Sequence, residues 1–273
     1  MSIKPDDVPA LLDILRTATA HVTKMAERLE FPWDASIDDP RRLHNMYARN
    51  LITCYASKVS DLSSAMLMAI DNSNFLAYAL CGRALIETTA TLRYYITVEY
   101  KPLLDAGPLD AEGIRRLIEI DDRHLRGTRF DWESFLFRNY AKLKQDVVAH
   151  LEEKRKKRTW APPVAQESVI AQQRNVLTCV EKWAQETPEV LIAYNLFCDL
   201  VHPNIGSNFL VASTSPEGLF FSRFRGEPVG RAIFAQSLPI LLSVSHRPLA
   251  DLLVMLMGTI WDDAELEGGP TTR

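Results

Sequence analysis

The sequence predicts an all-α fold, a multi-helix up-and-down bundle with a small β-hairpin insertion near residues 208–224. Three observations predict it. Apolar residues recur at spacings of three and four over most of the chain, which is the period of an amphipathic helix. Glycine is scarce, 11 of 273 residues, about 4% against the usual ~7%, so tight turns are few. Helix-start signals such as Asp39-Pro40 and Thr187-Pro188-Glu189 stand directly ahead of periodic apolar runs. Hydrophobic residues at 47% and charged residues at 24% allow a real core and exclude a wholly disordered chain.

Taken in order, the first helix is marked by Val8, Leu11, Leu15, Ala18, Val22 and Leu29, and stops before Phe31-Pro32. The second starts at Pro40 behind the Asp39 cap and runs to about Ile70. Asp71-Asn72-Ser73-Asn74 breaks the pattern, and a third helix follows from Phe75 to Tyr100. At about 100° per residue, Leu76, Leu80, Arg83, Glu87, Ala90 and Tyr94 fall on one arc of it and Tyr78, Cys81, Leu85, Leu92 and Ile96 on the other. A helix apolar on both sides is central in its domain. Lys101 to Pro108 reads as a loop. Asp110 caps a helix that ends near Gly127, and another runs from Trp132 into the basic stretch ending at Arg158. Helix resumes near Ser168 and continues to Trp183, then from Thr187 to His202-Pro203. The apolar runs Asn208–Ala212 and Leu219–Phe224 flank Thr214-Ser215-Pro216-Glu217-Gly218, a hairpin pattern. Helices from Val229 to Ser245, with a kink at Pro239, and from Pro248 to Ile260 complete a single domain spanning residues 1–262, followed by a frayed tail at 263–273.

Residues 1–7 carry no basic cap ahead of an apolar run, so no secretory leader is expected. The clean apolar stretch Leu252–Ile260 is shorter than the ~20 residues a spanning helix needs. No membrane contact is expected. Cys54, Cys81, Cys179 and Cys198 lack metal or redox spacing and read as free thiols of a cytoplasmic protein. The net charge of −4 gives no global basic field for nucleic acid. The chain contains no H-E-x-x-H, G-x-G-x-x-G, G-x-S-x-G or phosphate loop. Metalloprotease, dehydrogenase, hydrolase and P-loop readings therefore lack their motif, and neither metal nor cofactor is expected.

Three constellations stand out. Arg83 and Glu87 lie four apart on a mostly apolar helix, a spacing that forms either a satisfied ion pair or an arginine poised for a phosphate or carboxylate. Asn195, Asp199 and His202, at spacings of four and three, share one helix face. The helix C-terminus and Asp199 are placed to hold a proton on the His202 ring, which fits either a helix cap or acid–base work. Lys154, Arg155, Lys156, Lys157 and Arg158, with Lys142 and Lys144 on the same helix, form either a solvated helix end or an RNA contact. His21 and His150 lie in helices without a second ligand at metal spacing, His44 and His124 stand alone, and His246-Arg247-Pro248 reads as a helix boundary.

Two of these motifs together, Gly82-Arg83-Ala84-Leu85-Ile86-Glu87 on a central helix and Tyr194-x-x-x-Cys198-x-x-x-His202-Pro203 about a hundred residues on, resemble an uncharacterised bacterial branch of the HEPN-like helical families, related to abortive-infection and toxin members. The resemblance covers roughly residues 41–206, with a long helical insertion between the motifs. It implies an all-α bundle, often a homodimer. It further implies either a metal-independent ribonuclease in a defence or toxin–antitoxin setting, or a silent module that binds RNA, a nucleotide or a protein partner encoded nearby. Nuclease members carry an arginine five to seven residues before the histidine; here those positions are Phe197, Leu196 and Asn195. The resemblance therefore implies first a non-catalytic binding or regulatory protein. The alternative is a ribonuclease in which His202 moves the proton and Arg83 clamps the phosphate, with Glu87, Tyr194, Asn195 and Asp199 lining the same pocket.

Overall fold

The computed structural model describes residues 8–30, 34, 36–107, 109–126, 136–158, 175–204, 207–208, 210, 212–215, 218–221, 227–262 and 266. The fold is all-α and multi-helix. Its helices are α1 (Val8–Ala26), α2 (Pro40–Asp71), α3 (Phe75–Tyr94), a π-helix (Tyr95–Tyr100), α4 (Lys101–Asp105), α5 (Ala111–Arg126), α6 (Tyr140–Arg158), α7 (Val176–Ala184), α8 (Glu189–Val201), α9 (Glu227–Val244) and α10 (His246–Met257). Two short strands, β1 (Ala212–Ser215) and β2 (Gly218–Phe221), pair antiparallel with Ala212 opposite Phe221. The chain forms two compact units, one of residues Met1–Asp122 and Arg174–Arg273, the other of Arg123–Gln173.

In the first unit the caps start the helices as their chemistry requires. Asp39 Oδ1 accepts from Arg42 N–H at 2.9 Å with Pro40 in the first turn, and Asn74 Oδ1 accepts from Ala77 N–H at 3.1 Å. Helix α3 is central, packing against α2, α7, α8, α9 and α10. Leu85, Ile86, Ala90 and Leu92 of α3 have no exposed surface. Tyr78 reaches across to α9, its hydroxyl 2.9 Å from Ser237 Oγ.

Several boundaries differ from the sequence expectation. The third helix changes to π geometry at Tyr95, and the expected loop is helical over Lys101–Asp105. This segment continues the π-helix without a break, with Pro102 in its first turn, and Lys101 Nζ pairs with Asp105 Oδ2 at 2.7 Å one turn on. Helix α10 starts at His246, two residues before Pro248, and stops at Met257. The stretch at Asn208 is not a strand. Asn204 accepts from Ser207 N–H through its side chain at 3.2 Å and from Asn208 N–H through its carbonyl at 3.1 Å, holding a turn there. Pairing begins at Ala212. The expected helix starts at Trp132 and Ser168, and most of the tail, lie outside the described residues.

Val229–Met257 is long and apolar enough, by length and composition, to cross a membrane. In the fold it divides at Ser245, and Leu238, Leu241, Leu249 and Leu253 fill the core. His246 sits in this buried break, Nε2 2.9 Å from Ser63 Oγ and Nδ1 2.9 Å from Ser245 Oγ. Burial lowers its pKa to about 4. Between the ordinary value near 6.5 and about 4, the unfolded chain therefore takes up a proton that the fold refuses. Stability contributed by the neutral ring is present above pH 6.5 and lost as pH falls through that window, by about 3 kcal/mol at full effect. His124, also lowered to about 4 by burial, acts in the same direction. Urea titrations from pH 7 to 4 are expected to show a smaller acid loss in His246→Gln than in the parent chain. An identical loss in both would exclude His246 as a source.

Candidate functional site

Helices α3 and α8 approach closely at Gly82. A Cβ there would lie 2.8 Å from Phe197 Cζ, so a glycine is needed for the Phe197 ring to seat on α3. That ring also packs edge-on to Tyr78, with centroids 5.7 Å apart. The next residue is Arg83, and the close packing brings α8 side chains to it. Arg83 Nε donates to Glu87 Oε1 at 2.8 Å. Tyr194 Oη donates to the same oxygen at 3.3 Å, long for an O–H···O bond. The guanidinium carbon lies 5.8 Å from the Tyr194 ring centroid, within cation–π range.

A charged pair on a helix apolar on both sides is expected to be buried. The side chains of Arg83 and Glu87 are instead 30% and 28% exposed, because their arc of α3 faces the edge of α8 while the opposite arc takes the core. At that exposure the pair contributes roughly 0–1 kcal/mol to stability. The hydrogen bond that Arg83 donates to Glu87 strengthens the hold of the guanidinium on its proton. Burial first, then the Cys198 hydrogen bond and the charges of Cys198 and Glu87, push Tyr194 up to about 12. Its phenol therefore remains a donor at neutral pH. Among the described residues the two terminal guanidinium nitrogens of Arg83 have no hydrogen-bond partner.

The remaining expected site residues do not join this cluster through hydrogen bonds. Asn195 is exposed on α8. Asp199 is exposed and accepts from Asn204 Nδ2 at 2.6 Å, in place of the expected His202. His202 ends α8 in an extended conformation, φ −72° and ψ 148°, its backbone N–H bonded to Cys198 O. Its ring is exposed, and among the described residues it makes no hydrogen bond or ion pair. In the second unit, the basic run Lys154–Arg158 occupies the end of α6; its side chains lie outside the described residues. Further up α6, Tyr140, Val147 and Val148 are exposed.

Sequence reading passed over a buried network in the first unit. His44, read as a lone histidine, has no exposed surface, and its Nδ1 lies 2.9 Å from Asp121 Oδ2, itself fully buried. Tyr95 donates to Asp121 Oδ1. Tyr100 Oη lies 2.8 Å from His44 Nε2 and 3.4 Å from Thr259 Oγ1. Burial raises the Asp121 carboxyl above the usual carboxylate range, partly offset by its hydrogen bonds from His44 and Tyr95, and holds Tyr95 and Tyr100 well above the ordinary phenol value. The π-helix makes this possible. Five steps of an α-helix would set Tyr95 and Tyr100 about 140° apart, whereas i→i+5 bonding brings fifth neighbours together; their ring centroids are 5.3 Å apart. One signal was legible. Asp121 falls in register with the apolar Ile114 and Leu117, and His44 in register with Ala48 and Leu51, so each is a polar residue on a buried stripe.

No family model, curated protein or solved structure matches the chain. The contact that shapes the Arg83 cluster is directly testable. Gly82→Val forces Phe197 off α3 and is expected to cost about 1–3 kcal/mol, lowering the melting temperature by about 2–10 °C in a chain of this size. Thermal unfolding followed by far-ultraviolet circular dichroism measures it, and an unchanged melting point would show that the ring yields freely.

Proposed function

We propose that this chain is a HEPN-like, non-catalytic protein that binds a phosphate-bearing ligand, RNA or a free nucleotide, at Arg83. The observation that carries this reading is the state of the guanidinium. Its Nε is tied to Glu87 and its face rests near the Tyr194 ring, while among the described residues its two terminal nitrogens have no partner. An arginine anchored on one edge and open on the other is oriented for a bidentate grip on phosphate oxygens. Acid–base cleavage has weaker support. It needs a proton carrier in contact with its partner groups, yet Asp199 is engaged with Asn204 and the His202 ring is bonded to none of the cluster.

Fluorescence anisotropy with a labelled single-stranded RNA, and separately with a labelled nucleoside triphosphate, tests the proposal and distinguishes the two sources of phosphate. Arg83→Ala is expected to weaken binding by about tenfold or more, and His202→Ala to leave both the affinity and the length of the RNA unchanged. RNA shortened by the parent chain but not by His202→Ala would overturn the reading in favour of a ribonuclease. Retention of full affinity in Arg83→Ala, or binding of neither probe, would remove Arg83 as a phosphate site.

A further inference from the structure

The chain beyond α10 is pinned to α2 by one side chain. Asn45 Nδ2 donates to Trp261 O at 2.8 Å, and Asn45 Oδ1 accepts from Trp261 N–H at 3.0 Å. The Trp261 ring stands edge-on to His44, with centroids 5.1 Å apart. This fixes one wall of a pocket of about 160 Å³ whose lining includes Arg41, Leu104, Leu109, Leu117, Thr259 and Trp261. Its size selects its ligand. A cavity of about 150 Å³ accommodates benzene, whereas sites for larger ligands start near 300 Å³. The pocket therefore takes a body of about six to nine non-hydrogen atoms and is too small for a nucleotide, which separates it from the Arg83 site.

Its lining also selects charge. Leucines and the Trp261 ring make most of the wall, and Arg41 is the only charged lining residue among those described. Arg41 is half-buried, in the first turn of α2, and among the described residues it has no hydrogen bond or ion pair. Leaving a partly desolvated guanidinium without an anion is costly, and a carboxylate matches its planar fork. Beside it, Thr259 Oγ1 meets the Tyr100 hydroxyl, which His44 and Asp121 hold in turn. That buried chain makes the polar side of the pocket rigid. We propose that this pocket binds a small monocarboxylate with an apolar body of benzoate size, its carboxylate on Arg41 and its body against Leu104, Leu117 and Trp261.

Titration of the full chain with benzoate, benzyl alcohol and acetate, followed by calorimetry or by chemical shifts of the tryptophan indoles, tests the proposal. Benzoate is expected to bind about tenfold or more tightly than benzyl alcohol, which lacks the charge, and than acetate, which lacks the body. Arg41→Gln is expected to remove the preference for benzoate over benzyl alcohol. Leu104→Trp, a partly exposed position at the pocket edge, is expected to abolish binding by filling the space, with circular dichroism confirming that both variants are folded. No benzoate binding at about 10 mM, equal affinity for benzyl alcohol, or wild-type benzoate affinity in both folded variants overturns it.

Discussion

A carboxyl group with no exposed surface must be satisfied by the fold, and Asp121 is such a group. Moving an ion of that size out of water costs several kcal/mol unless geometry and hydrogen bonding restore it. Here restoration draws on four residues from three parts of the chain: His44 from α2, Tyr95 and Tyr100 from the two ends of the π-helix, and Thr259 beyond α10. Each of these must sit within hydrogen-bond reach of the next, which fixes the height of α2 against α3 and the point where the chain leaves α10. The π-helix follows from the same requirement. An unbroken α-helix would carry Tyr100 away from Tyr95 and leave His44 Nε2 without the phenol it meets.

The two polar assemblies of the first unit differ in kind. Arg83 and Glu87 are nearly a third exposed, so water and salt screen them and their pairing contributes little to folding. Its effect is to orient a guanidinium. In the second network His44, Asp121, Tyr95 and Tyr100 are buried and little screened, so loss of one partner strands the others. The first is therefore suited to exchange a ligand at low energetic cost, and the second to hold a wall in place. Gly82 and Phe197 set the α3–α8 spacing that the first needs, and Asn45 with Trp261 sets the closure that the second supports.

Much of the helical framework was legible because caps and apolar period are local signals. Asp39-Pro40, Asn74 and Asp110 each start a helix where their side chains accept a backbone N–H. Apolar period marks the helices of Arg83 and Tyr194 each as part of a core, but their juxtaposition was expected only with the family resemblance. What periodicity cannot give is the identity of a partner. It places Asp199 and His202 one turn apart but does not show that Asn204 folds back to take the carboxylate or that the backbone turns extended at His202. It also assumes 100° per residue, and so separates Tyr95 from Tyr100. His44 and Asp121 are 77 residues apart in sequence, and only their shared oddity, a polar side chain on an apolar stripe, connects them beforehand.

Arg83 and Arg41 show how one chemical group is put to different uses by its surroundings. At Arg83 the guanidinium faces water, so its attraction for a phosphate is cut by salt beyond about 8–10 Å, and one such contact releases too few counterions to hold a polyanion tightly. Strong RNA binding at this site would have to gather additional cations, which makes affinity a function of ligand length and ionic strength. At Arg41 the apolar walls lower the local dielectric and limit the ligand to a small body, so a single charge contact counts for more. Affinity there depends on shape and on one ion pair, and is comparatively insensitive to salt. The setting of the guanidinium, a helix face at Arg83 and a small pocket with largely apolar walls at Arg41, thus decides which of the two suits a long polyanion and which a compact organic acid.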